Sequence, residues 1–439
     1  MTSLLNKNDF KLSYNTLFIL INISILNDGE KLFCLDEDIC CNIASFLGNN
    51  RNHEDSLFYG VLLIRNICMD KNVCDIFNKY KITEFLGDIY EKHLLNNKFM
   101  EFLMTIISFI ISYEINDKTN KEINFPVILP CIKIMATQIR LSYPANLFYK
   151  YIFKLYQLVS FRNSDLYYEI IKYNIHKELM NIYPSITEKI EIIKLKLKEI
   201  LSISKEQQIN KEEYDKYQEE LDFYESSLLI ILKILGKLMS LEDGIITQTL
   251  LSAGISSFLT KALQSHDIRI IKNVCFCISN ICAGTCGQIS YLFNDNTLYE
   301  LIKVSKNILE AMEMRQEKDD YYSQLKDAFR EINYVFALTI VNTLKEKMIP
   351  FVECENYTPI VILMKGLKYL ELKNNIELIE YIFSAIKKIM AFKDDFEKKI
   401  LFVMEKYELK ENLEKIIIKE DLNIAQKAGE IHDSIFGII

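Results

Sequence analysis

The chain has no tryptophan, and its 439 residues include only 6 Pro and 12 Gly. So few breakers exclude a turn-rich β protein and leave long helices with short connections. No long run of Lys or Arg occurs and the formal net charge is -8. A general nucleic-acid surface, which draws on clustered cations, is therefore not expected, and the acidic balance suits a cationic partner. The five histidines, His53, His93, His176, His266 and His432, are isolated. No H-E-x-x-H, G-x-x-x-x-G-K, G-x-G-x-x-G or G-x-S-x-G occurs, so neither an enzyme nor a cofactor is expected. No stretch reaches the roughly 20 apolar residues that span a bilayer. Leu17–Leu26, LFILINISIL, is the nearest to a signal-peptide core, but it carries internal asparagines and no small-residue cleavage pattern. A soluble protein of the cytoplasm and nucleus, without a membrane partner, is the expectation.

Cysteine is present but unpaired in pattern. Eleven are scattered through apolar stretches, as in a reduced protein rather than a disulfide framework. Cys275, Cys277, Cys282 and Cys286 crowd together without the paired C-x-x-C of zinc sites. Core packing is the expected role, with no metal.

The positive signal is a repeat. In KNVCFCISNICAGTCGQI, Lys272 to Ile289, an aromatic ring and an amide stand four residues apart, Phe276 and Asn280, and so share one helix face. The Ala-Gly-Thr after them ends the helix. Weaker copies place Asn22 in TLFILINIS, Asn66 in VLLIRNICMD and Lys237 in ILKILGKLMS. Phe109, Gln157, Leu338 and Lys388 hold the same register position in poorer copies. Asn22 to Asn66 spans 44 residues and Lys237 to Asn280 spans 43, within the ~40–47 residue period of armadillo and HEAT repeats. Such units cannot bury their apolar faces alone and stack into a solenoid. We therefore expect an all-α armadillo-repeat superhelix, right-handed, of about nine repeats over residues 1–439. Two intervals overrun the period: residues 186–226 read as a charged helical insertion or elongated repeat helices, and residues 303–328 as a smaller one. Residues 396–439 read as a capping repeat.

In an armadillo array the third helix of each repeat lines a groove. An exposed asparagine there can bond the backbone of an extended peptide, and a ring one turn earlier can receive the stem and charge of Lys or Arg. On these residues the chain resembles importin-α, the armadillo adaptor that recognises nuclear localisation signals. The likeness runs from about Ser13 and is clearest at Ala253–Gln288, where CFCISNICAG stands for the family's W-x-x-x-N-x-x-A-G, at Ile400–Phe436 and at Val127–Pro184. The resemblance implies a major groove using Phe18, Asn22 and Asn66, with Leu62 standing where an aromatic belongs. It gives Asp70 the grip on a key lysine, and it puts Thr105 and Phe109 in place of Trp and Asn. In the minor groove it implies Phe276, Asn280, Glu331 and Tyr334, with Leu338 replacing an asparagine. Lys233 and Lys237 stand where the family carries Arg and Asn. Basic cargo peptides and, through the final repeat, an export receptor are the implied partners. The family's basic amino-terminal segment has no counterpart beyond Lys7 and Lys11, so recruitment of importin-β is not implied. A non-transport armadillo scaffold is the alternative.

Overall fold

The computed structural model describes residues 4–5, 9–26, 37–50, 53–82, 85–86, 97–116, 125–141, 146–161, 163–203, 211–241, 244–315, 319–370, 375–391, 395–419 and 422–437. Lys7, and residues 204–210 and 316–318 within the two charged stretches, lie outside the described residues. Packing divides the chain into two compact units, residues 1–230 and 231–439.

Unit 1 holds α1 (Phe10–Ser24), α2 (Glu37–Asn49), α3 (Glu54–Ile67), α4 (Lys71–Lys79) and α5 (Asn97–Asn116). It continues with α6 (Phe125–Leu141), α7 (Asn146–Val159), α8 (Ser164–Lys172), α9 (Ile175–Ile203) and the first part of α10 (Lys211–Leu238). Unit 2 takes the end of α10 and then α11 (Ile245–Ser252), α12 (Ile255–Ala262), α13 (Ile268–Cys282), α14 (Cys286–Asn294) and α15 (Thr297–Glu313). After these come α16 (Asp320–Asn342), α17 (Lys345–Tyr369), α18 (Ile376–Met390), α19 (Asp395–Lys406), α20 (Leu409–Lys419) and α21 (Leu422–Phe436). Residues 186–203 belong to α9 and 211–226 to α10, which lie side by side with Lys194 paired to Glu225 at 3.2 Å. Residues 303–313 fall in α15 and 320–328 in α16.

Polar residues start these helices as the sequence chemistry dictates. Asp9, Asn163, Asp267 and Asp319 each accept a bond from a backbone N–H of the first turn, and Thr285 with Gln288 forms a full capping box. A second junction type recurs where one short helix turns into the next. Lys81, Asn174, Gly254, Asn296 and Glu408 all have positive φ there, and α17 bends through three such residues, Glu355, Asn356 and Tyr357. The left-handed turn is held by bonds back across it, Asn174 N to Ile171 O at 2.9 Å and Glu408 N to Glu405 O at 3.0 Å among them.

Longer helices stack in series: α1 on α3, α3 on α5 and α5 on α7 in unit 1, and α13 on α16, α16 on α18 and α18 on α21 in unit 2. Their apolar stripes form the core, as with Val61, Leu63, Ile64 and Ile67 of α3 and Val274, Ile278 and Ile281 of α13. The crowded thiols belong to it. Cys275, Cys277 and Cys282 are fully buried, with Cys277 Sγ bonded to Leu232 O and Cys282 Sγ to Thr339 Oγ1, whereas Cys286 is exposed. Burial pushes the Cys282 thiol up to about 12.

Candidate functional site

The serial helices carry most of the residues singled out in the sequence; Asp70 lies between α3 and α4, and Lys233 and Lys237 on α10. In unit 1, Phe18 is 38% exposed and Asn22 is exposed one turn further along α1. Leu62 is half-buried and has no ring, but Tyr59, one turn earlier on α3, supplies one: its centroid lies 4.7 Å from that of Phe18. Thr105 is half-buried on α5, its hydroxyl donating to Glu101 O at 2.9 Å, and Phe109 stacks on Tyr113.

Asn66 and Asp70 depart from expectation. Asn66 is only 9% exposed. Its Nδ2 donates to Ser24 Oγ at 3.0 Å and its Oδ1 accepts from Arg65 Nη1 at 3.2 Å. Its amide therefore holds α3 to the end of α1 instead of facing a ligand. Asp70 starts α4, its Oδ1 accepting from Asn72 N at 2.8 Å, an N-capping role.

In unit 2, Phe276 is half-buried against Gly236 of α10, where an added Cβ would lie 2.8 Å from the ring. Asn280 is half-buried, and its Nδ2 donates to Gly236 O at 3.0 Å. The carboxylates of this face already have cations of their own chain. Lys272 pairs with Asp327, and Arg330 reaches Glu331 at 3.2 Å and Asp327 at 3.9 Å. Burial, partly offset by the adjacent Arg330, holds the Glu331 carboxyl above its ordinary value. Tyr334 packs edgewise on Tyr381, 6.2 Å between centroids. Lys233 and Lys237 sit half-buried on α10.

One pattern joins these facts and was not foreseen. Among the described residues, six helices, α3, α5, α7, α13, α16 and α18, each send a side-chain donor back to the carboxyl end of an earlier helix. Asn66 reaches Ser24, Asn280 reaches Gly236, and Lys388 of α18 donates to Val341 O at 2.8 Å and Thr343 O at 2.6 Å. Where the register position makes no such bond, a residue one turn away does so. Tyr113 replaces Phe109 and bonds Met69 O, Lys154 replaces Gln157 and bonds Ser112 Oγ at 2.8 Å, and Asn342 replaces Leu338 and bonds Cys282 O at 2.9 Å. The carbonyls so capped are among the orphan acceptors that every helix end leaves. The spacing of these bonds in sequence, 42 residues for Asn66 and 44 for Asn280, is the repeat itself. The register was the available signal, but it does not say that the amides point along the stack rather than outward.

No family model matches the chain, and no curated protein is similar to it in sequence. Among solved structures, an engineered protein of the Northeast Structural Genomics Consortium is similar over 99% of this chain and 97% of its own, with a TM-score of 0.57 at 12% identity. A designed armadillo repeat protein solved in complex with the peptide (KR)4 is similar over 69% of this chain and 98% of its own, with a TM-score of 0.46 at 17% identity. Computationally designed armadillo repeat proteins for modular peptide recognition give 68%, 98%, 0.46 and 18%. With its serial stacking and its bonds of repeat length, the chain is an all-α, armadillo-like solenoid.

Proposed function

We propose that the protein is a binding adaptor that receives extended polypeptide segments on the serial helices, and that its ligands are the Lys/Arg-rich localisation signals of nuclear-import cargo. The observation that carries peptide binding is the exposed pair Phe18 and Asn22, a ring and an amide one turn apart on the face of unit 1. An amide so placed can both donate to and accept from a ligand's backbone, and the ring offers its π face to a cation. The basic class rests on the sequence resemblance and on the carboxylates of the same helices, Asp327 and Glu331 included. Residence in cytoplasm and nucleus, and an export receptor at α19–α21, belong to the same proposal. Titration of a fluorescent Lys/Arg-rich localisation peptide at low salt tests it. Binding should weaken about tenfold in Asn22→Ala, as loss of a hydrogen-bonding anchor predicts. Absence of binding, or binding indifferent to Asn22, overturns it.

A specific observation favours the second reading, a non-transport scaffold. The acidic side chains of unit 2 are paired internally, through Lys272–Asp327 and Arg330–Glu331, so a basic ligand there must displace resident cations. Under this reading Lys272→Ala leaves basic-peptide affinity unchanged; under the import reading it raises affinity.

A further inference from the structure

Five rings on three successive helices of unit 1 touch in an unbroken series. Tyr14 and Phe18 of α1 lie 5.2 Å apart, Phe18 meets Tyr59 of α3 at 4.7 Å, Tyr59 meets Phe58 at 5.4 Å, and Phe58 meets Phe102 of α5 at 5.4 Å. An aliphatic stem held between two ring faces needs a carbon contact of about 3.5 Å on each side, hence about 7 Å between faces. The gap between Phe18 and Tyr59 is closed to it. At the far end the guanidinium of Arg65 already covers Phe102, 5.6 Å from its centroid. The rings thus present one continuous aromatic surface in place of separate cation slots.

Resting on the reading of this face as a peptide-binding surface, we propose that its ligand is a proline-rich extended segment with a Lys or Arg flank. Pyrrolidine rings lie flat on aromatic faces, and proline's fixed φ means that little conformational entropy is lost on docking. A polyproline II backbone has no internal hydrogen bonds, so its carbonyls need outside donors. The exposed Asn22 amide, one turn from Phe18, is such a donor. The flank follows from charge: among the described residues at the starts of α1 and α3, Asp9, Glu54 and Asp55 are exposed against one cation, Lys11.

The test is fluorescence anisotropy on the full chain with three labelled peptides: a proline-rich one ending in Arg, the same peptide with each proline replaced by alanine, and a Lys/Arg-rich one without proline. The proline peptide should bind about tenfold tighter than its alanine counterpart, a preorganisation effect. Phe18→Ala and Asn22→Ala, both at exposed positions, should each remove most of that advantage, while Met314→Ala, at an exposed position in unit 2, leaves it intact. Equal binding of the proline and alanine peptides, or tighter Phe18-dependent binding of the Lys/Arg-rich peptide, overturns the proline preference and leaves the peptide-binding reading standing. If none of the three binds, the peptide-binding reading falls with it.

Discussion

At the scale of single residues, the decisive contacts involve atoms that side-chain chemistry alone does not announce. Gly236 stands in the helical run ILKILGKLMS, where glycine normally costs stability relative to alanine. Its bare Cα is what admits the Phe276 ring, so Gly236→Ala should destabilise unit 2 by about 1–3 kcal/mol through overpacking. Gly48 of α2 has nothing within 4 Å of an added Cβ, and Gly48→Ala should instead stabilise by about 0.5–1 kcal/mol. Urea unfolding midpoints of the two variants should move in opposite directions. Asn66→Ala should cost about 1–3 kcal/mol, because it removes the bond to Ser24 and leaves Arg65 without its acceptor. The sequence located Phe276, Asn280 and Asn66 correctly as a register. It did not disclose their partners, since Ser24 and Gly236 lie a whole repeat upstream and carry no mark of their own.

At the scale of helices, caps were legible and junctions only in part. Gly254, Asn174 and Asn296 are left-handed junctions whose residue type favours that backbone; Lys81 and Glu408 adopt it against their preference. The start of α9 holds a further surprise. His176 is 1% exposed and neither ring nitrogen has a hydrogen-bond partner. Burial, with a smaller push from Lys177, brings its pKa down to about 4. The folded state resists protonation more than the unfolded chain does. Its stabilising contribution is therefore complete above about pH 6.5 and is lost as pH falls from there to about 4, an effect of about 2–3 kcal/mol. Urea midpoints at pH 7 and pH 4.5 should differ accordingly, and His176→Leu should flatten the difference.

At the scale of the whole chain, the forty-odd residue period and the shortage of Gly and Pro made the all-α repeat architecture readable before any coordinates. The partition into units was not readable, because it passes through the middle of α10, a helix with no break in pattern. Asn66 and Asn280 belong to different units and share no partner. The double variant Asn66→Ala/Asn280→Ala should therefore lose stability equal to the sum of the single losses within about 0.5 kcal/mol, measured by denaturant titration. The back-reaching donors also give the array a grain. The carbonyls of Met69, Gly236, Cys282, Val341 and Thr343, at or just past helix ends, are each quenched by a donor from a later helix. Deleting α18–α21 would strip Val341 and Thr343 of the Lys388 ammonium, whereas deleting α1 would merely hand the Asn66 amide to water. Fraying, read as amide hydrogen exchange in shortened chains, should accordingly run inward faster from the carboxyl end than from the amino end.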